Sequence, residues 1–255
     1  MLISPSRLRR LFGVRPSGVL HVGAHQAEEF EEYRKAGFGP TIWVEAQSEL
    51  LARIREVIAG SEDSVVEAVA WSETGKKLTF QVTSETQSSS LFGLAEHLLE
   101  YPQIQTMEER QVTTVRLDEV VPAESHFDFV TLDIQGAELE ALRGMGDLLA
   151  RVKWIFTEVN RREMYEGIPL VQDLDDFLSQ QGFRRVVTLW YPAGWGDALY
   201  ARTSGDVGEN LRFFLASSWA TRSFTAHEIL LRTKKKFTRF RRRVYRIIDR
   251  LRGLR

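Results

Sequence analysis

The sequence predicts an α/β fold in which a doubly wound, mostly parallel sheet carries helices on both faces. Strand-like segments rich in apolar and β-branched residues alternate with helix-like segments along most of the chain, the pattern of repeated β-α-β units. The first such segment is an apolar run that ends at Gly23, which is typical of a central parallel strand entering a tight turn. With 255 residues, 43% of them hydrophobic, the chain can bury one large core.

Seven segments carry the strand pattern: Val19 to Val22, Thr41 to Glu45, Val65 to Ala70, Phe127 to Leu132, Trp154 to Glu158, Phe183 to Trp190 and Ala198 to Arg202. Helices fit between most of them, the first from Gln26 to Lys35. The pair Thr74-Gly75 is typical of a hairpin turn and predicts that the third strand pairs with a strand at Leu78 to Val82. The last two strands form a closing hairpin around Pro192 to Asp197.

The first turn and the second strand indicate a nucleotide-type cofactor site. The small Gly23-Ala24 pair lets the backbone approach a ligand, and Glu45 ends the next strand about 20 residues later. An acid in that position is typical of adenosyl-cofactor sites, where it accepts hydrogen bonds from ribose hydroxyls. His21, which alternates within the apolar strand, is predicted to be a hydrogen-bonded core residue.

A second group of polar residues follows the strand from Phe127 to Leu132. Asp133 stands at its carboxyl end, and Gly136 precedes a helix that carries Glu138. Ligands of open α/β sheets bind at such ends beside the reversal of strand order, so Asp133 is predicted to face the cofactor crevice. Two structural interpretations stay open: Asp133 as a helix N-cap, and Glu138 as a first-turn acid favoured by the helix dipole.

Composition excludes several classes of protein. The chain has no cysteine, which removes thiolate catalysis, disulfides and Cys-ligated metal sites. No run approaches the roughly 18 apolar residues of a membrane span, and the first residues lack the hydrophobic region of a secretory signal. A cytoplasmic location is therefore expected.

The charge distribution divides the chain into a main domain at residues 1–203 and an extension at residues 204–255. Residues 232–255 hold 12 Lys or Arg against the single Asp249. Their apolar residues recur at intervals of three and four, namely Phe237, Phe240, Val244, Ile247, Ile248 and Leu251. This predicts a basic amphipathic helix that contacts the inner face of an anionic membrane. Two alternatives stay open for this segment: a helix docked on the main domain, and a disordered tail. Basic charge confined to one end argues against a nucleic-acid partner.

Seven motifs in fixed order carry a family resemblance: VLHVGAHQAEEF at 19–30, WVEA at 43–46, VEAVAWSETG at 66–75, SSSLF at 88–92, TTVRLDEVV at 113–121, FDFVTLDIQGAELEALRG at 127–144 and IFTEVN at 155–160. Together they resemble the FkbM-type family of S-adenosylmethionine-dependent methyltransferases. The resemblance implies a class I, Rossmann-like fold of seven strands with the last one antiparallel. It also implies S-adenosylmethionine as cofactor and methyl transfer to oxygen, often a hydroxyl of a sugar or related natural product.

The resemblance assigns cofactor binding to a set of residues: Gly23, Ala24, His25, Glu45, Ala46, Ala68, Val69, Asp133, Gln135 and Glu138. The family usually has Asn where His25 stands and Gly where Ala27 stands. Histidine still donates hydrogen bonds, as to a methionine carboxylate, and alanine is small, so we expect cofactor binding to persist. A polar residue at the helix start is the other interpretation of His25.

Methyl transfer to a hydroxyl requires alignment with the donor and removal of a proton. Asp133 and Glu158 end neighbouring strands on the crevice side and are the candidates for general base or acceptor-orienting group, with Asn160 and His126 as second choices. The same two carboxylates could hold Mg²⁺ together with an acceptor diol. Two protein ligands are few for a metal site, so no metal ligand is assigned.

Two segments are predicted to cover the site: Ser88 to Phe92 and Trp190 to Asp197, whose aromatic rings suit stacking on sugars. Glu100 to Arg110 is a candidate insertion over the site. Ordinary turn and packing roles remain open for the first two.

The sequence therefore predicts an S-adenosylmethionine-dependent O-methyltransferase acting on a carbohydrate, glycolipid or related natural product. An NAD-dependent oxidoreductase shares the first strand and the acid but would have further glycines where Gln26 and Ala27 stand. A noncatalytic, membrane-associated binding module is the remaining alternative.

Overall fold

The computed structural model describes residues 1–93, 101, 103–203, 206, 208 and 210–224. The predicted basic helix, at residues 232–255, lies outside them. None of the helices in the described ranges is long and apolar enough to cross a membrane.

The described residues form ten strands in two sheets. They are β1 (Val19–Val22), β2 (Thr41–Glu45), β3 (Ser64–Glu67), β4 (Val69–Ala70), β5 (Lys77–Thr83), β6 (Thr106–Val115), β7 (Phe129–Leu132), β8 (Trp154–Asn160), β9 (Phe183–Trp190) and β10 (Trp195–Arg202). The α-helices are α1 (Pro5–Arg7), α2 (Phe30–Ala36), α3 (Leu51–Val57), α4 (Leu117–Val120), α5 (Glu138–Arg143), α6 (Val171–Gln180) and α7 (210–224). Leu8–Phe12 adds a π-helical turn after α1, and Ser48–Leu50, Thr86–Ser88 and Gly146–Arg151 are 3₁₀ turns.

The main sheet has seven strands in the order β3-β2-β1-β7-β8-β10-β9. All neighbours from β3 to β8 are parallel, whereas β10 is antiparallel to both β8 and β9. The order reverses between β1 and β7, which pair directly, so a crevice opens beyond their carboxyl ends. The predicted class I architecture is confirmed, including its antiparallel last strand.

Alternate strand residues pack into two apolar clusters, one on each face of the sheet. Leu20 and Val130 point into the cluster that also contains residues of α4, α5 and α6. Val19 and Phe129, one position before, point into the cluster that contains residues of α2, α3 and α7. Part of the extension is thus continuous with the core, because α7 contributes Phe213 to the second cluster.

The second sheet differs from the sequence prediction. The third predicted strand, Val65 to Ala70, divides at Ala68 into β3, which stays in the main sheet, and β4, which leaves it. The predicted hairpin at Thr74-Gly75 is wrong, because β6 lies between β4 and β5. The Gly75 N–H donates to the carbonyl of Thr114 on β6, at 2.9 Å, so the turn leads onto β6. Residues 106–110 belong to that strand and are not part of a separate insertion.

The first helix also begins later than predicted. His25 and Ala27 have φ of 45° and 57°, in the left-handed region that an α-helix excludes. The chain therefore makes tight turns after Gly23 and becomes α-helical only at Phe30. Asn and Gly, which the family usually carries at these two positions, adopt such backbone angles readily.

Asp63 fixes the start of β2. Its side chain is fully buried and accepts hydrogen bonds from the Thr41 N–H (3.1 Å) and the Trp43 indole N–H (2.9 Å). The guanidinium of Arg34, on α2, lies 3.1 Å from the same carboxylate. One side chain therefore ties α2 to the strand that ends at Glu45.

We expect Asp63→Asn to lower the free energy of unfolding by about 2 kcal/mol, because a partly buried guanidinium loses its counter-charge. Urea denaturation of the variant and wild type measures this. Glu62→Gln, a change to the exposed neighbouring residue, is the matched control and should stay within about 0.5 kcal/mol of wild type. Equal effects of the two substitutions would contradict the assigned role.

Candidate active site

The carboxyl ends of β1 and β7 touch at Gly23. This residue has φ of 89°, and a Cβ atom there would lie 2.1 Å from the backbone oxygen of Asp133. Only glycine fits both the backbone angle and the space. The close approach leaves two cavities, one on each side of the junction.

The first cavity, called here the Glu45 cavity, lies over β2 and the break between β3 and β4. Its lining includes Val22, Val44, Glu45, Ala46, Gln47, Ala68, Val69, Ala70, Phe80, Ser89, Leu91, Ile134 and Ala137. Most of these are small or apolar, and Glu45 is the charged group among them. An apolar slot with Glu45 at one side and Asp133 at its boundary with the second cavity is suited to a flat heterocycle joined to a diol.

Glu45 is buried and held by backbone donors. Its Oε2 accepts from the His25 N–H at 2.7 Å and its Oε1 from the Gln47 N–H at 2.8 Å. Burial raises the pKa of Glu45, although these two hydrogen bonds oppose the shift. Each carboxylate oxygen has a further lone pair, so the residue fits the predicted role of ribose acceptor.

The second cavity, called here the carboxylate cavity, lies over β7, β8 and β10. Its acidic lining consists of Glu28, Glu29, Glu85, Asp133, Glu158 and Asp197, and its other described members include Leu2, His21, Ser88, Tyr101, Ile104, Met164, Tyr165 and Trp195. Both cavities are lined by Gly23, His25, Gln87, Asp133 and Gln135. Asp133 thus stands where the two meet.

Glu158 and Asp197 are brought together by the antiparallel pairing of β8 and β10. They are directly opposite each other in the register, and both are buried. Burial, and then the nearby carboxylates of Asp133, Glu138 and Asp197, raise the pKa of Glu158 well above its usual range. Burial also raises the pKa of Asp197 to about 6, although the N-terminal ammonium and the Leu2 N–H, 2.6 Å away, oppose it.

Gln135 connects the acidic residues. Its Nε2 donates to Asp133 at 2.7 Å and to Glu158 at 3.3 Å, and its Oε1 accepts from the Tyr165 hydroxyl at 2.5 Å. Its backbone carbonyl accepts from the Ser90 hydroxyl at 2.7 Å. The segment predicted to cover the site is therefore attached to the same loop as the predicted catalytic residue.

His25 faces Glu28 across the mouth of both cavities. Their side chains approach to 2.6 Å, and this hydrogen bond, opposed by burial, raises the pKa of His25. Against the effect of burial, the same contact lowers the pKa of Glu28 to about 2. The pair therefore favours a charged imidazolium beside an ionised carboxylate.

Two predicted cofactor residues lie behind the cavity walls. Ala24 is buried, and its N–H donates to the carbonyl of Val44 at 3.0 Å. The carboxylate of Glu138 accepts from the N–H groups of Ile134 and Gly136, each at 3.0 Å, and so holds the turn after β7. Burial raises the pKa of Glu138 to about 7. All the other predicted cofactor residues line a cavity.

His21 is confirmed as a core histidine that also reaches the cavity floor. It is 3% exposed, stacks on Trp43 with ring centroids 4.7 Å apart, and contacts the Tyr33 hydroxyl through Nδ1 at 3.1 Å. Burial lowers its pKa to about 4, so the ring is neutral at neutral pH. His126, a second-choice base, is exposed at the opposite end of the sheet, beside Gly18, and is excluded from the site.

Several cavity residues were not singled out as catalytic from the sequence. Glu28 and Glu29 fall within the helix that the sequence predicts from Gln26, and Tyr165 lies in a loop that carries no motif. Asp197 was grouped with the covering segment, although it lies within β10. In the described ranges, no group of three or more His, Cys, Asp or Glu has the arrangement of a metal site. Mg²⁺ held by Asp133 and Glu158 stays the alternative left open by the sequence.

The raised carboxyl pKa values predict a stability that falls as pH rises. The unfolded chain releases these protons near pH 4, whereas folded Glu138 retains its proton to about 7, so the folded state binds more protons in between. We expect Glu138→Gln to match wild type at about pH 4 and to exceed its free energy of unfolding by up to about 3 kcal/mol at pH 8. Urea denaturation across this range provides the measurement.

The control for this experiment is Glu124→Gln, at an exposed position, which should leave the pH slope unchanged. A Glu138→Gln variant that keeps the wild-type slope would show that Glu138 is ionised throughout the range.

Comparison with known proteins identifies the family. Residues 21–185, more than half of the chain, match the family described as "Methyltransferase FkbM domain". A curated relative, the 2-O-methyltransferase NoeI of Sinorhizobium fredii, is 34% identical over 82 residues. That match covers 31% of this chain and 34% of the relative, so it spans about a third of the length of either protein.

Solved structures with a similar chain path include the ribosomal protein L11 methylase of Lactobacillus delbrueckii subsp. bulgaricus and an S-adenosylmethionine-dependent methyltransferase of Aquifex aeolicus. The first is 10% identical over 77% of this chain and 75% of that chain, with a TM-score of 0.44. The second is 14% identical over 79% and 91%, with a TM-score of 0.43. Likenesses at this level carry no argument about activity.

The family match excludes the NAD-dependent oxidoreductase considered from the sequence. The strand order of the main sheet and the lining of the Glu45 cavity are consistent with the family match over residues 21–185. The chain belongs to the FkbM family of S-adenosylmethionine-dependent methyltransferases.

Proposed function

We propose that the protein transfers a methyl group to a hydroxyl of a neutral carbohydrate, glycolipid or related natural product. The observation that carries this proposal is the carboxylate cavity, which meets the Glu45 cavity at Asp133. A donor bound over Glu45 and an acceptor bound over Glu158 would have Asp133 between them.

The charge of the cavity supports a neutral acceptor. Six carboxyl groups line it, against the N-terminal ammonium of Met1 and the imidazole of His25, and no Lys or Arg occurs among the lining residues of the described ranges. An acceptor rich in phosphate would meet like charge at those carboxyl groups that are ionised, which is costly. Hydroxyl groups, in contrast, donate hydrogen bonds to carboxylates.

The aromatic wall of the cavity supports a sugar ring. Trp195 lines the cavity, and its indole N–H donates to the Tyr101 hydroxyl at 3.1 Å. One face of the indole is covered by Tyr191 in a parallel stack, with centroids 4.4 Å apart and an 8° angle between the rings. A ring fixed at one face and one edge is a rigid surface for the apolar face of a pyranose.

S-adenosylmethionine, when bound, supplies an activated methyl group. The residues present fit it: Glu45 lines the apolar slot with a carboxylate held by backbone donors, and Gly23 adds no side chain of its own at the junction. The acidic side chains around the junction favour a cationic donor. The hydrogen bond from Glu28 raises the pKa of His25 and so favours the imidazolium form, which suits a carboxylate group.

The acidic residues divide into two proposed roles. Burial raises the pKa of Glu158, and a carboxylate with a raised pKa is a stronger base, which points to Glu158 as the group that accepts the proton in the transition state. Asp133, fixed by Gln135 at the junction, would accept a hydrogen bond from the acceptor and align it. Asp197 would help to raise the pKa of Glu158. The relative named a 2-O-methyltransferase supports transfer to oxygen.

The test of acceptor class uses methyl-labelled S-adenosylmethionine with a panel of neutral oligosaccharides and their phosphorylated or sulfated counterparts. We expect label on neutral acceptors at least tenfold above their anionic counterparts, because like charges repel in the cavity. Preferred labelling of anionic acceptors would contradict the proposal. Cofactor binding without transfer to any acceptor would favour the noncatalytic module.

The test of catalytic roles compares three cavity variants. We expect Glu158→Gln to lower kcat about 100-fold or more and Asp133→Asn to do likewise, while S-adenosylmethionine affinity changes by less than about threefold. Glu85→Gln, at an exposed position on the cavity lining, is the matched control and should retain activity.

The pH dependence of kcat separates the two roles. The pKa of the base should disappear from the profile of Glu158→Gln and persist in that of Asp133→Asn. Loss of turnover and of cofactor affinity together would make either residue a cofactor or structural group.

A further inference from the structure

Helix α7 is apolar on two opposite sides. Phe213, Ala216 and Ala220 are buried in the core cluster beneath it. The outward side carries four large apolar residues, Leu211, Phe214, Leu215 and Trp219, with exposed fractions of 58%, 68%, 60% and 47%. Phe214, Leu215 and Trp219 follow Leu211 by three, four and eight residues, which places all four along one face of the helix. An exposed apolar row of this size indicates a binding surface rather than scattered surface residues.

Basic residues surround this row, which we call the Trp219 face. The guanidinium groups of Arg7 and Arg10 lie 5.7 and 5.4 Å from the centre of the Trp219 ring. Arg212 and Arg222, on α7 itself, are exposed, and residues 210–224 contain no Asp or Glu. The face therefore combines apolar side chains with positive charge.

Three kinds of occupant need to be compared. The segment at 232–255 has an apolar stripe, but its 12 basic residues would meet the arginines of the Trp219 face and repel them. The phosphates of a nucleic acid would attract the arginines, but they would offer no apolar surface to Leu211, Phe214 and Leu215. An anionic bilayer matches both parts, since its acyl boundary takes up apolar side chains and its headgroups attract arginine.

The core-facing side of α7 contacts a residue next to the carboxylate cavity. Phe224, at the described end of α7, contacts the Tyr191 ring with centroids 6.1 Å apart. Tyr191 stacks on Trp195, which lines the carboxylate cavity.

We propose that the Trp219 face binds an anionic membrane surface, with its apolar row at the headgroup boundary and its arginines on anionic lipids. The binding proposal is independent of the reaction that the enzyme catalyses. The basic segment at 232–255 follows α7 in the chain and adds positive charge of the same sign.

The experiment is flotation of the full chain with phosphatidylcholine vesicles, with and without phosphatidylglycerol. Wild type should float with the anionic vesicles, less at high salt and little with phosphatidylcholine alone. A variant with L211S, F214S, L215S and W219S should lose at least tenfold in lipid affinity. Met107→Ser, which removes an equally exposed apolar side chain on β6, is the matched control and should bind as wild type does.

A second variant tests the charges. Arg7→Gln with Arg10→Gln should weaken binding to anionic vesicles several-fold, and S-adenosylmethionine binding by all variants verifies that they are folded. Unchanged flotation of the fourfold serine variant would overturn the proposal. The proposal would also be overturned if wild type were a dimer that the four serine substitutions convert to a monomer while flotation stays unchanged. It would be overturned as well if the four substitutions reduced RNA binding and left vesicle binding unchanged.

Discussion

The close contact between the backbones of Gly23 and Asp133 is the constraint on which the rest of the site depends. A single Cβ atom at position 23 would lie 2.1 Å from the Asp133 oxygen and would force β1 and β7 apart at their carboxyl ends. Because the two strands meet there, the cavity over Glu45 and the cavity over Glu158 share a boundary a few side chains thick. A methyl group can cross such a boundary only if donor and acceptor are aligned along it, which is the main demand of an in-line transfer.

The same junction concentrates unfavourable conformations and charges. His25, Ala27 and Gln135 are the non-glycine residues with positive φ in the described part of the chain, and all three lie here. Such angles cost of order 1 kcal/mol each. Glu158 and Glu138 add buried carboxyl groups whose ionisation the fold opposes. The two apolar clusters on the faces of the sheet offset this local cost, so the scaffold stabilises a site that is itself strained.

Sequence reasoning succeeded where local pattern and strand order suffice. Apolar runs located the main strands, and Glu45 and Asp133 could be assigned to the crevice because strand ends of a parallel sheet meet on one edge. It failed where partners are distant in sequence. The division at Ala68 depends on β6, some 40 residues later, taking up β4. Asp197 faces Glu158 because of the antiparallel register between β8 and β10. Gln135 has a positive φ, which residue propensities do not predict, and its side chain contacts Asp133, Glu158 and Tyr165.

The central claim is that the donor occupies the Glu45 cavity and the acceptor the carboxylate cavity, with Asp133 at their boundary. A crystal structure with S-adenosylhomocysteine tests it most directly. The account predicts the adenosine between Ala68 and Glu45, the ribose hydroxyls within hydrogen-bond distance of the Glu45 carboxylate, and the sulfur beside Asp133. A ligand whose adenosine lies over Glu158, or whose sulfur points away from Asp133, would contradict it.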